Sequence, residues 1–146
     1  MKTIQDLGSV FLRLALGLAF LSAVADRFGL WGAFGQPNVA WGGFARFVAY
    51  TGRLNWFLPA ALIPALAVLA TGVEAALGFC LAIGWYTRIS ALMSGILLTL
   101  FGVTMALALG VQAPLNFSVF SAAGGAFLLA TGTEFPFSVD SLRRAR

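Results

Sequence analysis

The sequence predicts an all-α integral membrane protein, a four-helix up-down bundle with an amphipathic interfacial helix in the first outer loop. Three observations carry this. Hydrophobic residues make up 60% of the chain and charged residues 10%, against about 25% charged in soluble domains. A soluble chain of 146 residues could not bury so much apolar surface, so lipid is the expected solvent. Four segments also reach the roughly 20 residues that a helix needs to cross about 30 Å of hydrocarbon. Finally, these segments are continuous and rich in Leu, Ala, Phe and Gly, unlike the alternating stretches of about ten residues in outer-membrane barrels. The length suits a single domain covering 1–146.

The first span covers about 7–25 and is interrupted only by Arg13. Ala23-Val24-Ala25 resembles a small-residue cleavage site, with Lys2 as a weak basic start. Arg13 breaks the required apolar core of such a leader, and cleavage would leave three spans, so an uncleaved first helix is expected.

The outer loop, 26–56, carries three of the four Trp, together with Phe28, Phe34, Phe44, Phe47 and Tyr50. Gly29, Gly32, Gly35 and Pro37 break regular structure at its start. Between Val39 and Thr51 apolar residues recur at helical spacing, with Arg46 and Arg53 off that face. This predicts an amphipathic helix lying at the interface, in the aromatic belt at headgroup depth. Such a loop either anchors and caps the bundle or forms a lid over a lipid-facing pocket.

The second span covers about 57–84, with Pro59 and Pro64 near its start; a helix beginning near Asn55–Leu58 would be open to a kink at Pro64. The third and fourth, about 89–110 and 114–132, carry no charge. The joints "WYTR" and "GVQAP" are short, which favours antiparallel neighbours. Placing the N-terminus inside puts Lys2, Arg88, Arg143, Arg144 and Arg146 on the cytoplasmic side, with Arg27, Arg46 and Arg53 outside. Basic residues favour the inside, so both termini are expected in the cytoplasm.

Ionisable groups inside a membrane are costly and need partners. Within Trp56–Tyr86 the only charge is Glu74. From the expected span ends, Arg13 lies roughly 9 Å and Glu74 roughly 15 Å above the inner surface, at 1.5 Å per residue. An Arg13–Glu74 pair is therefore within reach, whereas Arg88 at the inner start of span three would reach Glu74 with difficulty. Small residues surround Glu74 at helical spacing (Ala67, Ala70, Gly78), which marks the packed face. The pair either fixes helix register or offers Glu74 to a ligand. Asp26, Arg27 and Asn116 make a second, outer polar cluster; adjacent residues on a helix do not face each other, so Asp26 and Arg27 each need a separate partner. Asn55, Arg53 and Asn116 are the candidate partners, and snorkelling to the interface is favoured over a site.

Composition also narrows the chemistry. The chain has no His and a single Cys, Cys80. No internal disulfide, CxxC pair or His-based metal site can form, and no metal ligand set is expected. Scattered Arg residues give no nucleic-acid footprint. No internal repeat or polar pathway of transporter type is visible.

Three stretches carry a family resemblance: "LRLALGLAFLSAVADRFGL", "EAALGFCLAIGWYTRISAL" and "PLNFSVFSAAGGAFLLATG" followed by "FSVDSLRR". They resemble the DoxX/DoxD group, which includes the small DoxD-type subunit of thiosulfate:quinone oxidoreductase. Arg13, Glu74 and Arg88 match that group's charged positions. The resemblance implies a bacterial-type inner (plasma) membrane protein beside a partner subunit, linked to electron transfer into quinone. Composition leaves no cofactor bound by the chain alone, and a dissociable quinone between the helices, hydrogen-bonded by Glu74, Arg13 or Asp26/Arg27, is the candidate ligand. A non-catalytic structural or assembly subunit is the alternative. Oligomeric state, substrate and partner identity lie beyond the sequence.

Overall fold

The computed structural model describes residues 2–144, and the described chain is all helical apart from its turns. The elements are α1 (Lys2–Arg27), α2 (Phe44–Leu54), a 3-10 turn (Ala60–Leu62), α3 (Ile63–Ile83), α4 (Thr87–Leu109), α5 (Gln112–Asn116), α6 (Val119–Ala130) and α7 (Val139–Arg144). Three helical stretches are long and apolar enough to cross a membrane: Thr3–Arg27, Ala60–Ile83 and Thr87–Leu109. Their outward faces carry large apolar side chains left bare, including Leu18, Leu69, Leu100 and Leu107, as a protein solvated by lipid requires. These features describe a multi-pass helical membrane protein.

The expected fourth span, 114–132, is not one helix. It is broken at Phe117–Ser118 into α5 and a 12-residue α6, which is about 18 Å long at 1.5 Å per residue. Ser118 adopts φ 54, in the left-handed region, where a residue with a Cβ cannot continue a right-handed helix. The other boundaries move less. Helix α1 begins at Lys2, five residues before the expected span. Pro64 falls in the first turn of α3, where its missing N–H costs nothing and its ring kinks nothing.

The interfacial helix forms, but as Phe44–Leu54 rather than Val39–Thr51. Its start is displaced because the amides of Ala40, Trp41 and Gly42 donate to the Asp26 carboxylate. With those amides turned towards α1, and Gly42 at φ 58, a helix cannot run through 40–42.

Helix α1 packs along α3, and α4 along α6. The α1–α3 register is set where backbones touch. A Cβ on Gly17 would lie 2.9 Å from the Gly78 carbonyl oxygen and from the Ala82 amide nitrogen. Around this contact the core gathers Leu16, Phe20, Leu81, Ala91, Ala126, Leu129 and Phe135. The buried face of α3 repeats at helical spacing through Ala67, Thr71, Glu74, Gly78 and Leu81, as the small residues around Glu74 predict.

Candidate functional site: a buried ion pair under an aromatic cap

Arg27 is the last residue of α1 and Glu74 sits mid-way along α3. The Arg27 Nη2 donates to both Glu74 carboxylate oxygens, at 2.7 and 2.8 Å. Its Nη1 donates to the Thr71 hydroxyl at 2.9 Å, and that hydroxyl donates in turn to the Ala67 carbonyl at 2.8 Å. Arg27 and Glu74 are 3% and 2% exposed, so the pair is sealed from solvent. Helix α2 and the turn before it supply the seal. The Phe47 ring lies 3.6 Å from the Arg27 guanidinium carbon and the Trp41 ring 5.3 Å from it, and the two rings meet edge to face at 5.3 Å. A cation over an aromatic face is attracted by the ring quadrupole. Both ends of the fork are thus used, and only the buried Arg27 Nε has no acceptor.

The neighbouring Asp26 points elsewhere, as adjacent helical residues must. Its two oxygens accept the amides of Ala40, Trp41 and Gly42 at 2.9–3.2 Å. One residue of the Asp26–Arg27 step therefore holds the loop and the other holds α3. Together they fix α2 over the end of the bundle.

Arg13 does not meet Glu74. Helix α3 ends level with Arg13: the Gly84 position lies 2.6 Å from Arg13 Nη1, measured from an ideal Cβ. Glu74 is ten residues further along α3, about 15 Å at 1.5 Å per residue, beyond an arginine's reach. The depth estimate misled because α1 overhangs the end of α3 instead of finishing beside it. Arg13 instead donates to the carbonyls of Phe137, at 2.6 Å, and Pro136, at 3.3 Å.

That contact belongs to a second polar cluster, at the other end of the bundle. Asp140 in α7 accepts the amides of Tyr86 and Thr87, at 2.9 and 2.7 Å, and so caps α4. Its own amide donates to the Gly84 carbonyl at 3.0 Å. Residues 135–144 are thereby latched onto the α3–α4 turn. This cap is invisible in sequence because the capping side chain comes from more than 50 residues away; a cap is legible only when the accepting side chain is local.

The remaining predicted residues stay apart from Glu74. Arg88 is exposed in the first turn of α4, at the Asp140 end. Asn116 is exposed at the end of α5 and bonds to neither Asp26 nor Arg27. Asn55 caps its own helix through the Thr51 carbonyl instead of joining them. Among the described residues no group of His, Cys, Asp and Glu is placed to hold a metal ion.

No family model matches the chain, and neither do curated proteins or solved structures.

Proposed function

We propose that the chain is a membrane-embedded structural subunit of the DoxX/DoxD type, an up-down bundle of four apolar segments with both termini cytoplasmic, which docks the catalytic subunit of a quinone-linked oxidoreductase in a bacterial-type inner membrane. The observation that carries the structural half is the closed Arg27–Glu74 pair. The only carboxylate at mid-span has both oxygens on the buried Arg27 guanidinium, which itself lies under the Phe47 ring, and at 2% exposure it presents no open face to a substrate. The quinone-linked half rests on the resemblance of the three sequence stretches. Redox chemistry then belongs to the partner, and this chain supplies a rigid membrane anchor with an aromatic outer surface. The break between α5 and α6 is the feature that a transporter reading would use, but it lies next to the loop end and brings no buried charge with it.

The test is affinity purification of the full chain from its native membrane in mild detergent, followed by native mass spectrometry and lipid extraction, for wild type and Glu74→Gln. The expected result is a redox subunit that travels with the chain and no stoichiometric quinone on the chain alone. Quinone retained by the isolated wild-type chain and lost from a folded Glu74→Gln chain would make Glu74 a ligand residue and overturn the structural assignment.

A further inference from the structure

At the Asp140 end, the start of α4, the turn after α6 and α7 enclose an open cavity of about 390 Å³. Its charged lining is Arg88, Arg143, Arg144 and Asp140. Asp140 is already spent, with both oxygens on the Tyr86 and Thr87 amides. The helix end is therefore capped from within, and the three exposed guanidiniums are the cavity's available charge. None of the three forms an ion pair among the described residues. Two are held at the rim: Arg143 lies 5.4 Å from the Tyr86 ring centre, and Arg144 donates to the Thr133 carbonyl. Thr87, in the same lining, has a hydroxyl with no hydrogen-bond partner.

Three arginines lining one cavity suit a phosphate, whose oxygens accept the parallel N–H groups of a guanidinium fork. What adjoins the cavity identifies the kind of phosphate. Ile89 borders it and begins an exposed apolar row at helical spacing along α4, continuing through Met93, Ile96, Leu100, Val103 and Leu107. A charged pocket opening onto an apolar track matches a molecule with an anionic head and a hydrocarbon tail. Basic pockets between membrane helices bind such headgroups.

We propose that this cavity is a phosphate-anion site, filled in the membrane by the headgroup of an anionic glycerophospholipid whose acyl chains lie along the α4 row. A free phosphate shares the headgroup chemistry but leaves the row unused. The site is independent of any quinone-linked role.

The test uses the full chain in dodecyl maltoside, titrated with phosphatidylglycerol or with phosphatidylcholine of the same acyl chains, and read by native mass spectrometry. The expected result is one phosphatidylglycerol retained with at least a tenfold preference over phosphatidylcholine. That preference should fall to about twofold or less in R88Q/R143Q/R144Q and persist in R46Q/R53Q, which removes charge from the loop end. Because Arg144 also holds the Thr133 carbonyl, R88Q/R143Q is measured alongside, with helix content checked by circular dichroism. A folded double or triple variant with an undiminished preference overturns the site. Inorganic phosphate at millimolar concentration that displaces the lipid and by itself raises the melting midpoint would assign the cavity to free phosphate and overturn the lipid.

Discussion

Removing either partner of the Arg27–Glu74 pair should cost this protein more stability than deleting any polar side chain outside the pair within the spans. With both carboxylate oxygens 2.7–2.8 Å from Arg27 and both partners at most 3% exposed, the charges sit about 4 Å apart in a medium of effective dielectric about 20. Their attraction is then about 4 kcal/mol. Glu74→Ala leaves the guanidinium buried without a counter-charge, for which a loss of about 3–5 kcal/mol is expected. Glu74→Gln keeps one acceptor at nearly the same place and should lose less, about 1.5–3 kcal/mol, the contribution of a charge-assisted hydrogen bond. Replacing both partners by apolar residues of similar volume, Arg27→Met with Glu74→Leu, should restore most of the loss, because neither charge then needs a partner. The assay is reversible unfolding in mixed micelles, titrated with dodecyl sulfate and followed by the tryptophan signal. A Glu74→Ala loss below about 1 kcal/mol, or a double variant as weak as the sum of its singles, would refute the idea that the pair is a mutually dependent buried unit.

Three further outcomes follow from the same geometry. Asp26→Ala frees the amides of Ala40, Trp41 and Gly42, so hydrogen exchange at these residues should accelerate at least tenfold while exchange in α3 stays unchanged. Gly84→Ala places a methyl against Ser138 and Arg13 at φ 72, and a loss of about 1–3 kcal/mol is expected for a strained backbone with a clash; limited proteolysis should then cut within 133–144, where wild type resists. Gly17→Leu drives the α1 and α3 backbones apart at Gly78, whereas a Cβ added at Gly8 meets nothing within 4 Å, so thermal melting in detergent should drop sharply for Gly17→Leu and hardly move for Gly8→Leu.

The three long helices were legible because length and apolarity are local properties of the chain. The Glu74 face was legible too, since the helical repeat brings Ala67, Thr71 and Gly78 beside it. The partner of Glu74 was not. Choosing between Arg13 and Arg27 requires knowing how far α1 slides along α3, and that is decided by the Gly17–Gly78 contact, a tertiary fact. The start of α2 was lost for a related reason: Asp26 takes three amides that a helical pattern alone would assign to the helix. The break at Ser118 leaves no mark in sequence, because serine has no preference for the left-handed conformation and the hydrophobicity on either side is continuous.

The bond from Arg13 to the carbonyls of residues 136 and 137 spans 123 and 124 positions, and this has a consequence for biosynthesis. At about 5–20 residues per second, a ribosome reaches those carbonyls on the order of 6 to 25 s after making Arg13. Through that interval the nascent first helix carries a cation whose acceptors do not yet exist. It must wait near water or borrow a partner from the insertion machinery, and only late synthesis lets it settle. A chain stalled before that point would keep an unsatisfied cation in its first helix.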